Sequence, residues 1–240
     1  MRAMLLAAGR GQRMRPLTDT TPKPLLKVGG LPLIEWHLRH LSKAGFQEVV
    51  VNHAWLGAQI ETFLGDGSNW NLRIHHSPET QALETAGGIV GALPFLGEEP
   101  FLVINADVWT DWNPLQALDI AQRFKAHPEQ LAHLVLVPNP PHHPEGDFTL
   151  TTDGFVHSPS DAAMNKLTFS GIGIYRPELF KSLAVGQEQA LAPVLRHQMS
   201  QQKVRGSLYT GQWHDIGTVE RLTWLDQKLS DSNSPKNLTS

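Results

Sequence analysis

The chain has 240 residues and no cysteine, which excludes a disulfide, a zinc–thiolate site and a cysteine nucleophile. Its 20 basic and 23 acidic residues give a formal net charge of −3, which argues against non-specific nucleic-acid binding. No signal peptide and no apolar run of membrane-spanning length is recognisable. We therefore expect a cytoplasmic protein, a monomer or weak homo-oligomer, without nucleic-acid or membrane partners.

The first half of the chain alternates strand and helix patterns. Apolar or β-branched runs predict strands over residues 2–8, 48–52, 72–76 and 101–105, with helices over 32–43, 54–64 and 85–93 between them. Strands separated by helices form a parallel sheet, because parallel neighbours need a crossover connection. The pattern predicts a three-layer αβα fold with a mostly parallel, mixed central sheet of Rossmann-like type.

The second half contains shorter elements. Strands are predicted over residues 132–138, 167–175 and 204–210, a hairpin over 148–155 that turns at Asp153-Gly154, and helices over 177–183, 190–201 and 219–229. Residues 138–144 read PNPPHHP and are expected to be irregular. No linker divides the chain, so we expect one domain over residues 1–229 and a polar, disordered tail over 230–240.

A glycine-rich, basic loop follows the first predicted strand. Residues 5–18 read LLAAGRGQRMRPLT, and Lys23-Pro24 follows. Glycine lets backbone N–H groups approach an anion, and the neighbouring cations neutralise it. The loop is not a Rossmann fingerprint, because Met14 stands at the third glycine position, and it is not a P-loop. It predicts a triphosphate site of another type, with a basic surface turn as the alternative.

The same loop resembles the signature of sugar-phosphate nucleotidyltransferases, L-A-x-G-x-G-x-R-[LM]-x-P-L-T…K-P. The resemblance covers residues 1–229, is weakest over 142–165, and implies the nucleotide-diphospho-sugar transferase fold. It also implies two catalytic cations: Arg13 at the departing pyrophosphate, and Lys23 between the α-phosphate and the incoming sugar phosphate. The resemblance further implies a set of nucleotide-binding residues, in and near the loop and at the end of a later strand. They are Leu6, Ala7, Ala8, Gly9, Gly11 and Asn105.

Two aspartates are candidate metal ligands. Asp107 follows the predicted strand 101–105, and ligands of open α/β sheets bind beyond the carboxyl ends of strands. A strand-end aspartate alone is more often a cap or turn residue. The family carries a similar acidic motif there, usually with glycine where this chain has Ala106, and a W-x-D-[IV]-G-T segment that matches Asp215. The resemblance thus implies that Asp107 and Asp215 hold Mg²⁺.

A third segment indicates which base is bound. In the family, an acidic or amide residue five positions before L-G-T-[AG]-G accepts a hydrogen bond from the base. Glu79 occupies that position, and Thr85 and Gly87 follow at nucleotide-binding positions. Glu84 replaces the usual glycine, as in the L-E-T-G-G-G of N-acetylmuramate-1-phosphate uridylyltransferases, which also share N-x-D-V-W-T-D.

The resemblance implies an enzyme that converts UTP and N-acetylmuramate 1-phosphate to UDP-N-acetylmuramate and pyrophosphate in peptidoglycan recycling. One alternative is a mannose-1-phosphate guanylyltransferase, which shares glutamate at the base-reading position. Another is a catalytically silent nucleotide-sensing module. Loss of a catalytic cation or a metal aspartate would mark such a module, and all four residues are present.

The sugar-binding side is implied by shorter matches. Gly146, Asp147, Ser170 and Gly171 resemble family segments that line the sugar pocket, although a hairpin or strand glycine explains each equally well. Asp161 and Lys166 only approximate the acidic and basic pair that contacts sugar hydroxyls. The twelve histidines show no zinc-ligand spacing, so the sequence favours no histidine metal site.

Overall fold

The computed structural model describes residues 1–159 and 166–233. The strands are β1 (Ala3–Leu6), β2 (Lys27–Val28), β3 (Leu31–Pro32), β4 (Glu48–His53), β5 (Arg73–Pro78), β6 (Phe101–Asn105), β7 (Val108–Thr110), β8 (Ala132–Val137), β9 (Phe148–Leu150), β10 (Val156–His157), β11 (Lys166–Tyr175), β12 (Val204–Leu208) and β13 (Trp213–Asp215). The helices are α1 (Leu17–Thr20), α2 (Leu33–Lys43), α3 (Gly57–Leu64), α4 (Glu84–Leu96), α5 (Leu115–Ala126), α6 (Leu191–Met199) and α7 (Val219–Asn233).

One mixed sheet organises these elements. Strands β5, β4, β1 and β6 lie side by side and run parallel, so their carboxyl ends share one edge. Strand β11 pairs antiparallel with β6 on one side and with β8 on the other, and β12 runs parallel to β8. The sheet and its flanking helices confirm the predicted fold class.

Helices cover both faces of the sheet. Leu38 of α2, Ile60 of α3 and Phe124 of α5 belong to one buried cluster. Ile89 of α4 and Leu195 of α6 belong to another cluster on the opposite face. Alternate residues of a strand point to opposite faces, so β1 contributes Ala3 and Leu5 to the first cluster and Met4 to the second.

Several predicted elements differ in extent. Residues 177–183 form only a short 3₁₀ turn over Pro177–Phe180, and α4 continues through Pro94 to Leu96. Helix α7 extends to Asn233 instead of ending at residue 229, so the first residues of the predicted tail are helical. Residues 234–240 lie outside the described residues, as does Asp161.

Helix α5 and strands β7 and β13 were absent from the predictions, as were the short elements α1, β2 and β3. Helix α5 buries only Ala117, Ile120 and Phe124, a narrow apolar stripe that gives a weak periodic pattern. Strands β7 and β13 have three residues each, too few for an alternation pattern. In the described part of the chain, no helix combines the length and apolar character that a membrane span requires.

Two buried histidines make the stability of the fold depend on pH. Burial lowers the pKa of His37 and of His133 to about 4, and His37 Nε2 lies 2.6 Å from the Val108 carbonyl oxygen. An unfolded chain binds a proton at these residues near pH 6.5. Protons therefore favour the unfolded state between these two values.

We predict that the free energy of unfolding falls by about 2 kcal/mol per buried histidine between pH 7 and pH 5. Urea unfolding at the two pH values measures the fall. His133→Gln should reduce it by one histidine's share, whereas His127→Gln, at a side chain that is 51% exposed, should leave it unchanged. If the free energy of unfolding falls equally between pH 7 and pH 5 in the wild type and in His133→Gln, the prediction is contradicted.

Candidate active site

Two adjoining cavities lie at the carboxyl ends of β1, β4 and β6. The first has a volume of about 320 Å³ and the second about 310 Å³. The first is lined by Leu6, Ala7, Ala8, Gly9, Lys23, Pro24, Asn52, Ala82, Glu84, Thr85, Asn105, Asp107 and Glu188. The second is lined by Arg13, Asn105, Asp107, Val108, Pro140, His142, His143, Thr168, Phe169, Ser170, Gly171, Trp213 and Asp215. Asn105 and Asp107 belong to both and mark their boundary.

The glycine-rich loop is held in shape by its own motif residues. Gly11 has φ +67°, and its carbonyl oxygen accepts hydrogen bonds from the Met14 N–H and the Thr18 hydroxyl, both at 2.9 Å. Met14 is fully buried, and Thr18 is 1% exposed. The loop therefore presents its backbone to the first cavity from a braced position, as an anion site requires.

Lys23 reaches the boundary between the cavities. The residue is only 8% exposed, and its Nζ lies 2.5 Å from Oδ2 of Asp107. The Asp107 side chain remains 41% exposed. A buried cation beside an accessible carboxylate can neutralise a phosphate that arrives at the same point.

The β7–β13 ribbon brings the second aspartate next to the first. Asp215 pairs with Val108 across the ribbon, and the Ile216 N–H donates to the Asp107 carbonyl oxygen at 2.9 Å. Thr110 and Asp111 of the N-x-D-V-W-T-D motif secure the ribbon, because both hydrogen-bond to the backbone of Gln212. These two motif residues are thus structural, whereas Asp107 and Asp215 face the second cavity.

Cationic and imidazole groups that the sequence did not indicate surround Asp215. Arg221 Nη1 lies 2.8 and 2.7 Å from the two Asp215 oxygens, and His142 Nε2 lies 2.7 Å from Oδ1. A Cβ on Gly217 would lie 2.2 Å from Arg221 Nη2 and 3.2 Å from Arg13 Nη2. The only sequence signal was that Arg221 follows the D-I-G-T segment by one helical turn.

Asn52 connects the glycine-rich loop to Glu79. Asn52 is 2% exposed; its Oδ1 accepts the Ala7 N–H at 2.9 Å, and its Nδ2 donates to Glu79 Oε1 at 2.6 Å. The other Glu79 oxygen accepts the Leu83 N–H at 2.9 Å. A Cβ on Gly88 would lie 2.6 Å from Asn52 Nδ2, so glycine provides the room for this contact. Asn52 lies one residue before the carboxyl end of the parallel strand β4, and this position is the signal that would have found it.

The predicted nucleotide residues divide into lining and supporting positions. Leu6, Ala7, Ala8, Gly9, Thr85 and Asn105 line the first cavity. Gly11, Glu79 and Gly87 are not among the described residues that line either cavity. Gly11 accepts the two loop hydrogen bonds, Glu79 holds Asn52, and a Cβ on Gly87 would lie 2.4 Å from the Gln187 carbonyl oxygen.

Glu84 adopts the backbone conformation of the glycine that it replaces. Its φ is +61°, a left-handed value that costs a residue with a Cβ about 1–2 kcal/mol. Its side chain lines the first cavity. The positive φ is a conformation that favours glycine, so Glu84 occupies a position where a side chain is unfavourable, at the lining of the first cavity.

The predicted sugar residues also divide. Ser170 and Gly171 line the second cavity, whereas Gly146 and Asp147 are not among its described lining residues. Asp147 instead contacts residues that do line it. Its Oδ2 accepts a hydrogen bond from the N–H of Phe169 in β11 at 2.8 Å, and its Oδ1 lies 3.1 Å from His143 Nε2. Lys166, which begins β11, does not line the described cavities.

A braced glycine-rich loop, a buried lysine and two neighbouring carboxylates at one edge of an α/β sheet are features of an enzyme that transfers phosphate-containing groups. The family model described as "Nucleotidyl transferase" matches residues 2–232, and the chain belongs to this family.

Relatives and solved structures agree with this assignment. An N-acetylmuramate alpha-1-phosphate uridylyltransferase of Neisseria meningitidis serogroup B is 58% identical over 223 residues, 92% of this chain and 95% of that protein. A mannose-1-phosphate guanylyltransferase of Mycobacterium tuberculosis is 28% identical, over 91% of this chain and 61% of its own length. A UDP-glucose pyrophosphorylase crystallised with UDP-glucose shares the fold, with a TM-score of 0.77, 18% identity and 97% and 99% coverage of the two chains.

We predict that Gly171→Ala weakens both the fold and the site. Gly171 has φ +77°, and a Cβ there would lie 2.7 Å from Asn105 Nδ2, at the boundary of the cavities. The backbone conformation costs about 1–2 kcal/mol, and the crowding costs a further amount of about 1–3 kcal/mol. Urea unfolding measures the sum.

Gly45→Ala is the matched control, because Gly45 has φ +85° and nothing within 4 Å of its added Cβ. It should show the backbone cost alone and keep full activity. If the two variants lose the same free energy, the contact with Asn105 does not constrain Gly171.

Proposed function

We propose that this chain transfers the uridylyl group of UTP to N-acetylmuramate 1-phosphate, giving UDP-N-acetylmuramate and pyrophosphate in the cytoplasm for peptidoglycan recycling. The observation that carries the proposal is the Lys23–Asp107 ion pair at the boundary of two cavities. The 58% identity to a uridylyltransferase with this substrate supports the choice of sugar and base. The chain would act as a monomer or a weak homo-oligomer.

Each cavity would hold one substrate. The nucleotide would occupy the first cavity, along the glycine-rich loop, and the sugar phosphate would occupy the second, beside Ser170 and Gly171. A sugar phosphate oxygen forms a bond to the α-phosphorus, and the bond from that phosphorus to the bridging oxygen breaks. The electron pair leaves with pyrophosphate. The nucleophile is already an anion, so the protein needs only to position the two substrates and neutralise charge.

The cations have separate roles in the proposal. Lys23, buried at the boundary, would contact both the α-phosphate and the incoming phosphate and reduce their repulsion. Arg13, an exposed residue that lines the second cavity near Gly217, would reach the departing pyrophosphate at the boundary of the cavities and neutralise its charge together with the loop backbone. Catalysis would then require no covalent intermediate with the protein.

Asp107 and Asp215 fit a hard divalent cation. Both offer carboxylate oxygens to the second cavity, and their side chains are 41% and 29% exposed. Magnesium prefers such oxygen ligands and the phosphates of a bound substrate. A bound Mg²⁺ would supply positive charge to the reacting phosphates. Lys23, Arg221 and His142 already lie beside these carboxylates and keep them oriented toward the cavity.

Glu79 would read the base. Asn52 and the Leu83 N–H orient its carboxylate, whose remaining lone pairs can accept the N3–H of uracil. The alternative is a mannose-1-phosphate guanylyltransferase, which shares this glutamate. Its L-G-T-A-G pattern has glycine where this chain has Glu84, a residue that lines the first cavity, so the alternative is disfavoured. The silent module is the lower-ranked alternative, because all four expected catalytic and metal residues line the two cavities.

A substrate panel tests the proposal. The purified protein is incubated with each of UTP, GTP, CTP and ATP against the 1-phosphates of N-acetylmuramate, N-acetylglucosamine, glucose and mannose, and pyrophosphate release is measured. We expect kcat/KM for UTP with N-acetylmuramate 1-phosphate to exceed every other pair by about tenfold or more. Preference for GTP with mannose 1-phosphate would replace the proposal with the guanylyltransferase, and no pyrophosphate from any pair would indicate the silent module.

Lys23→Met should lower kcat by about 10²–10³-fold, because one charge-stabilising group is lost at the transferring phosphate. Lys27→Met is the matched control, because Lys27 lies four residues later and is exposed on β2, and this variant should keep wild-type kcat. Steady-state kinetics and circular dichroism separate lost chemistry from lost folding. More than about a third of wild-type turnover in a folded Lys23→Met protein would refute the assigned role.

A further inference from the structure

Two histidines and a glutamate converge at a place that the proposed reaction does not use. His53 ends β4, His76 lies in the neighbouring strand β5, and Glu61 lies on α3. One ligand atom from each lies within 4.8 Å of the others, and His53 Nε2 is 3.3 Å from Glu61 Oε1. None of the three lines the two cavities at the active site.

One ring nitrogen of each histidine has no hydrogen-bond partner among the described residues. His53 Nε2 and His76 Nδ1 are both buried atoms without a partner, and His53 as a whole is 3% exposed. The contact from His53 to Glu61 lacks the geometry of a hydrogen bond. Buried polar atoms are nearly always paired, so an unpaired nitrogen on each of two neighbouring histidines, in a cluster with a carboxylate, indicates a missing ligand.

The tautomer of His76 suits a metal. Its Nε2 lies 2.8 Å from the Gly65 carbonyl oxygen, which only accepts hydrogen bonds, so Nε2 carries the proton and Nδ1 has a free lone pair. A metal-bound histidine is oriented in the same way, by a second ring nitrogen that donates to a carbonyl.

His53 is held ready by its surroundings. A Cβ on Gly57, the first residue of α3, would lie 2.5 Å from His53 Nδ1, so only glycine leaves room for the ring. Burial lowers the pKa of His53, which keeps the ring neutral at pH 7 and able to coordinate. The Glu61 side chain is 49% exposed and leaves a path by which an ion can enter.

We propose that His53, Glu61 and His76 bind one Zn²⁺ or a similar divalent cation, which would cross-link β4, β5 and α3. Two imidazole nitrogens and one carboxylate form a common zinc donor set, with a fourth position for water. Magnesium, which prefers oxygen donors, would not compete well here.

The bound ion would stiffen the part of the sheet that borders the first cavity, in which the proposed function places the nucleotide. Asn52, the neighbour of His53 in β4, lines the first cavity, and the His53 carbonyl oxygen accepts the Glu79 N–H at 2.8 Å. An ion bound at His53 and His76 would therefore hold together the two strand ends from which Asn52 and Glu79 project. The ion would act as a structural element and take no part in the transfer reaction.

Zinc titration of chelator-treated full-length protein in excess Mg²⁺ tests the site. We expect one tightly bound Zn²⁺ per chain by calorimetry and a rise in Tm of about 5–10 °C at a hundredfold excess over Kd. Substitution with Co²⁺ should give the visible absorption of a tetrahedral ion with nitrogen and oxygen ligands. An absence of zinc binding by the wild-type protein would overturn the proposal.

Variants identify the ligands. His76→Gln and Glu61→Gln should each weaken zinc binding by at least about tenfold and remove the cobalt absorption. His75→Gln is the matched control on the same strand, because His75 contacts Glu48 instead, and its variant should bind zinc like the wild type. Wild-type affinity in a folded His76→Gln protein would show that zinc binds elsewhere and would refute the site.

Discussion

The ion pair between Lys23 and Asp107 is the interaction around which the two cavities are arranged. Lys23 comes from the segment after the glycine-rich loop, and Asp107 follows the central strand β6. A cation with 8% exposure can remain there only beside a carboxylate, because an unpaired buried charge is costly. The pair therefore ties the phosphate loop to the sheet and leaves a charged, partly open point where two phosphates can meet.

Glycines make the close approach of polar side chains around this point possible. Gly88 leaves room for the Asn52 amide, Gly171 for the Asn105 amide, and Gly217 for two arginines. Each is a position where a Cβ would touch a side chain that lines or supports a cavity. Glu84 does the opposite: it keeps a side chain in a left-handed conformation at the lining of the first cavity, at a cost in stability.

The cluster of His53, Glu61 and His76 lies near the carboxyl ends of β4 and β5, outside the two cavities. Strands β4 and β5 present Asn52 and Glu79 at their carboxyl ends, and the histidines precede or follow them within three residues. One sheet edge thus carries two kinds of donor set, oxygen donors in the cavities and nitrogen donors behind them. Under the two proposals, the oxygen donors would suit Mg²⁺ and the nitrogen donors would suit a zinc-like ion, so the two metals would share no ligand.

The αβα class, the glycine-rich loop and the two candidate aspartates could be predicted from the sequence, because strand–helix alternation and short motifs are local patterns. The β7–β13 ribbon, which brings Asp215 to Asp107, depends on pairing between residues a hundred positions apart and left no local pattern. His142 beside Asp215 and the histidine cluster likewise combine side chains from separate elements, whereas Arg221 follows Asp215 by only six residues. Which of these side chains meet depends on how whole elements pack, because that packing sets the distances between residues that are far apart in the chain.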